Sequence, residues 1–149
     1  FFVMGAGDLI TAMAVNNAGI INSWCKVFYP AAADIPAMAA LRDYAKQEFA
    51  EKLPQVQLLG AMDAPHVLTA ALPGARSQGI LNLLQEQGVY VSAGSACSRG
   101  HRSHVLEAMG LPTAVIDAAV RISLCRNTTK QEIDQLVRAF QAAAARLAG

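Results

Sequence analysis

The chain has 149 residues, 54% of them hydrophobic and 15% charged, with a formal net charge of +1. That length suits one ordinary domain with its own core, and the composition excludes a disordered chain. So small a net charge gives no global reason to expect nucleic acid or an acidic membrane surface as partner.

The opening "FFVMGAGDLITAMAVNNAGIINSWCKVFYP" starts with Phe1 and has no basic stretch ahead of its apolar part, so it does not read as a signal peptide. Asp8, Asn16 and Asn17 interrupt it, which makes it a poor membrane span as well. It reads as an apolar N-terminal segment, residues 1–33, disordered or the remnant of something larger.

Regular patterning begins at Asp34, which can cap a helix with Pro36 in its first turn; Met38, Leu41, Ala45 and Phe49 follow at helical spacing, and Leu53-Pro54 ends the run. "VQLLG" predicts a short strand closed by Gly60, and "HVLTAALPG" a second closed by Pro73-Gly74, with His66 a structural residue at its start. Ser77 is placed to cap a helix carrying Ile80, Leu83 and Leu84 as far as Gly88, and "VYVSA" predicts a strand that runs into a Gly/Ser loop around Cys97. A short helix is expected from about Ser103 to Met109, stopped by Gly110, then a helical turn opened by Pro112 and a strand over "AAVRISLC". Thr129 and Glu132 have capping-box spacing, and Ile133, Leu136, Val137, Phe140, Ala144 and Leu147 form one apolar stripe on a final helix. This order predicts an α+β domain over 34–149, a small, mainly antiparallel sheet with helices packed on one face.

The three cysteines, Cys25, Cys97 and Cys125, form no CxxC, and His66, His101 and His104 complete no zinc pattern with them. No metal site and no disulfide framework are expected, so the reading is a reducing cytoplasm. Cys97 stands apart, since it lies among Gly, Ser and Ala and is followed by Arg99, His101, Arg102 and His104. Only a thiolate attacks, and nearby positive charge favours that form if the loop folds it towards the sulfur. Gly94 and Gly100 would let such a loop swing. The competing reading is a buried, inert cysteine.

"SAGSACSRGHRSHVLEAMGL" followed by "VRISLCRNTTKQEIDQLV" resembles the C-terminal, small domain of a cysteine desulfurase dependent on pyridoxal phosphate (PLP), a class V aminotransferase of fold type I. Gly-Ser-Ala-Cys, Ser-His-Val-Leu, Ala-Met-Gly-Leu, Arg-x-Ser-Leu and Thr-Thr-x-x-Glu-Ile-Asp occur in the family's order, and the similarity runs from about Ile35 to the end. The resemblance implies that Cys97 takes the sulfur of L-cysteine as a persulfide, giving L-alanine, and that Arg121 grips the substrate carboxylate. A planar guanidinium can hold both carboxylate oxygens, which lysine cannot. Gly94, Ser95, Ala96 and Arg99 would support the loop, and His104 would anchor it or start the next helix. Cys125 stands where the family usually has Gly and is expected to be a small buried replacement.

By the same resemblance a sulfur-acceptor protein would receive the sulfur for iron–sulfur clusters, thio-cofactors or tRNA thiolation, and the full-length enzyme would be a homodimer without nucleic-acid or membrane partners. The family forms a Schiff base between PLP and a lysine. Lys26, Lys46, Lys52 and Lys130 are the lysines here, and nothing around them resembles the family's His-Lys motif. PLP is therefore expected in the full-length enzyme but not bound covalently to this chain, which would be inactive alone. The alternatives are a non-catalytic α+β interaction module, or a selenocysteine lyase or another class V enzyme.

Overall fold

The computed structural model describes residues 34–60, 64–93 and 102–147. Helix α1 (Asp34–Lys52) leads into strands β1 (Gln57–Leu59) and β2 (Val67–Ala71). Then come helix α2 (Ser77–Gln85), strand β3 (Ser92–Ala93) and the short helices α3 (His104–Ala108) and α4 (Thr113–Asp117). Strand β4 (Ala119–Ser123) and helix α5 (Lys130–Leu147) complete the order. The four strands form one antiparallel sheet in the order β1-β2-β4-β3. This is the α+β architecture expected from the sequence.

Side chains alternate across a strand, so the two faces of this sheet carry different residues. Leu68, Ala70, Val120 and Ile122 point to one face and join Phe49, Leu53, Ile80, Leu84, Val137 and Phe140 in the main core. The longer helices α1, α2 and α5 supply those partners, and the rings of Phe49 and Phe140 meet edge to face at 5.1 Å. On the other face Leu59, Ala71 and Ala119 form a smaller cluster with Val115 and Ala118, and Leu106 and Leu111 pack against it. The helices are thus on one face except for short α3 and α4, which cover one end of the second face.

Local chemistry sets the element ends. The Thr129 N–H donates to Glu132 Oε2 at 2.7 Å and the Glu132 N–H to Thr129 Oγ1 at 3.3 Å, a reciprocal capping box at the start of α5. Tyr44 Oη donates to Asp134 Oδ1 at 2.7 Å and ties α1 to α5; the bond and the burial around it push the phenol pKa up to about 12. Gly110, which stops the segment after α3, has φ +69°, a backbone geometry that costs side-chain-bearing residues more than glycine.

Three details differ from expectation. Arg76, not Ser77, occupies the cap position of α2, and its side chain makes no capping bond. The third strand is only Ser92–Ala93. The Val89 N–H already closes the end of α2 by donating to Leu84 O at 3.0 Å, so the backbone there belongs to a helix terminus and not to the sheet. Cys125 is exposed, not buried. It lies past the end of β4 in a turn where its N–H donates to Thr128 Oγ1 at 2.9 Å and the Thr128 N–H donates to its carbonyl at 3.0 Å.

No helix among the described residues is long and apolar enough to cross a membrane.

Candidate functional site

Strand β4 is central, with Arg121 at its middle. The register sets Arg121 opposite Thr69 of β2 on one side and Ser92 of β3 on the other, while Leu59 of β1 lies opposite Thr69. Directly opposed residues share a face, so Leu59, Thr69, Arg121 and Ser92 form one row across all four strands. That row lies on the face opposite the main core, beside the part covered by α3 and α4. Leu59 is buried, and the three polar residues are half-buried.

Arg121 Nε is buried and has no hydrogen-bond partner among the described residues. No ion pair or hydrogen bond reaches any other atom of this guanidinium among the described residues. A buried donor left unpaired costs about 1–3 kcal/mol. An unspent charge on an otherwise well-paired sheet suits an anionic ligand, and a carboxylate matches the fork best. The Thr69 and Ser92 hydroxyls also have no partner among the described residues.

The chain leaves β3 at Ala93 directly into residues 94–101, which lie outside the described residues. Cys97, Gly94, Ser95, Ala96, Arg99 and His101 all fall there. The described structure resumes at Arg102, whose Nε and Nη2 hold Asp117 Oδ1 and Oδ2 at 2.6 and 3.0 Å. This two-pronged pair holds the Asp117 carboxyl below its ordinary range, and it ties the start of the segment leading to α3 onto the end of α4. Arg102 therefore has its charge paired with Asp117, while the expectation that it favours a Cys97 thiolate concerns a residue outside the described ones. His104 is the first residue of α3, its side chain 87% exposed, with Nδ1 3.5 Å from Glu107 Oε2. His66 has a structural part, since its carbonyl accepts the Leu124 N–H at 2.7 Å.

The described lysines do not fit a covalently held PLP. Lys46 lies beside Asp43 and Lys52 is ion-paired with Glu48, both on α1. Lys130 lies over the Tyr44 ring at the start of α5. These helices pack on the face away from Arg121. No group of three or more His, Cys, Asp or Glu among the described residues could hold a metal ion.

Sequence reasoning singled out Arg121 but not the row it stands in. Thr69 and Ser92 gave no signal, because pairing between β4 and both its neighbours is set by the tertiary fold. Asp117 was missed for the same reason, since its partner lies on another element.

Comparison with known proteins gives the family and the fold. The aminotransferase class-V family model matches residues 25–136. A cysteine desulfurase of Nostoc sp. is 36% identical over 101 residues, 65% of this chain and 25% of that protein. The cysteine desulfurase NifS of Azotobacter vinelandii is 36% identical over 103 residues, 66% of this chain and 26% of that protein. The solved cysteine desulfurase CsdA of Escherichia coli shares the fold with a TM-score of 0.64 at 21% identity, over 85% of this chain and 29% of that one. The chain thus spans about a quarter of the length of the curated relatives it matches. With its family model matched over most of its length, the chain belongs to the aminotransferase class-V family.

Proposed function

We propose that this chain is the substrate-side domain of a cysteine desulfurase. Arg121 holds the α-carboxylate of L-cysteine, and the Cys97 thiolate takes the substrate sulfur as a persulfide. The balance is simple: L-cysteine and the enzyme thiol give L-alanine and an enzyme persulfide, so one sulfur atom moves and no outside oxidant is needed. The persulfide then passes its sulfur to an acceptor protein serving iron–sulfur clusters, thio-cofactors or tRNA thiolation. The same reading has the enzyme work as a homodimer in the cytosol.

The observation that carries this reading is the Arg121 guanidinium on the central strand, whose buried Nε has no partner among the described residues. Relatives named cysteine desulfurase support it. Because the described lysines face away from Arg121, the reading confines this domain to the carboxylate and the sulfur. PLP is held by residues beyond those described.

The test uses the PLP-loaded holoenzyme that carries this domain. Arg121→Ala should raise KM for L-cysteine by a factor equivalent to about 2–5 kcal/mol, the usual loss when one partner of a buried charge pair is removed. Cys97→Ala should abolish persulfide formation while PLP stays bound. An unchanged KM, or undiminished sulfur transfer without Cys97, would overturn the reading.

A further inference from the structure

The carboxylate reading leaves two neighbours of Arg121 without a task. Thr69 and Ser92 flank it on the same face, one from each adjacent strand. Cross-strand partners hold their Cβ atoms about 4.5–5.5 Å apart, so both hydroxyls flank the base of the Arg121 side chain, and an anion bound at Nε, the inner end of the guanidinium, is the one they can reach. Both residues are half-buried, and neither hydroxyl is bonded to another described residue. A hydroxyl held on a sheet face is a ready donor, and donors to a charged acceptor form the stronger class of hydrogen bond. Leu59 closes the far end of the row with a buried apolar side chain, so no further donor lies beyond Thr69 in this row.

We infer that Thr69 and Ser92 are positioning residues for the amino-acid carboxylate, each donating a hydrogen bond to one of its oxygens while Arg121 supplies the charge. This rests on the carboxylate reading of Arg121 given above. The three side chains lie side by side on the face away from the main core, and the central strand fixes their spacing. The row selects a carboxylate at that end of the substrate: an uncharged ester would neutralise nothing at Arg121 and would offer a poorer acceptor to the hydroxyls.

The test compares Thr69→Val, Thr69→Ser, Ser92→Ala and Arg121→Ala in the PLP-loaded holoenzyme. Thermal melts of each variant check the fold. Thr69→Val and Ser92→Ala should each raise KM for L-cysteine about tenfold, the effect expected for losing a hydrogen bond to a charged group, with kcat falling less than twofold. Thr69→Ser should restore KM. The inhibition constant of L-alanine should rise in parallel, while that of L-alanine methyl ester should not. If KM stays unchanged in Thr69→Val and Ser92→Ala but rises in Arg121→Ala, the hydroxyls do not position the carboxylate and only the reading of Arg121 survives. If Arg121→Ala also leaves KM unchanged, the carboxylate reading fails and takes this inference with it. Equal effects on alanine and its ester would assign the hydroxyls to the fold alone and overturn the proposal.

Discussion

The two faces of the sheet obey different rules. The face under α1, α2 and α5 is closed, apolar and paired, with Phe49, Leu68, Ile80, Val120 and Phe140 almost fully removed from water. The opposite face keeps a charge and two hydroxyls without protein partners among the described residues, along a single row of the same strands. Strand alternation makes this division possible, since residues adjacent in sequence serve opposite purposes. Val120 and Ile122 pack into the core, and Arg121 between them lies on the other face.

The largest effect that would break this comparison lies on the closed face. Phe140→Ala removes a fully buried ring that meets Phe49 edge to face, and should cost about 3–5 kcal/mol in chemical denaturation. Thr129→Ala removes one half of the capping box and should cost about 1 kcal/mol, read as a lower midpoint with an unchanged slope. The smallest loss sharpens the contrast. Arg121→Met deletes a buried donor that has no partner among the described residues, so it should cost no stability and can return up to about 1–3 kcal/mol. A loss comparable to that of Phe140→Ala would mean that Arg121 serves the fold and that the two faces do not divide the work.

Sequence patterning captured the closed face far better than the open one. The final helix was legible because two independent signals agree there: the Thr129–Glu132 spacing and an apolar stripe from Ile133 to Ala144. The third strand was overestimated because "VYVSA" has strand composition throughout, whereas Val89 is bound into the end of α2 and Tyr90 is 78% exposed. Cys125 was misplaced because its small size suggests burial, while its position past the end of β4 puts it in a polar turn. Arg121 was legible through the company of Arg-x-Ser-Leu. Its neighbours were not, because the register that sets Thr69 and Ser92 beside it appears only once four strands have found their order.

That order also has a cost during synthesis. The strand that pairs with both β2 and β3 is the last of the four to leave the ribosome, and Val67 must wait for Ser123 before its pairing is complete. Until then the edge of β2 that later takes β4 stays open, and Leu68 and Ala70 lack Ile122 and Val120 as cross-strand neighbours. Such an edge is a template for pairing with another nascent chain. The central place of β4 therefore makes the sheet a late, nearly all-or-none event. A chain stalled before Ala119 would carry α1 and α2 but neither β4 nor α5, so Phe49, Ile80 and Leu84 would lack the strand and the helix they pack against.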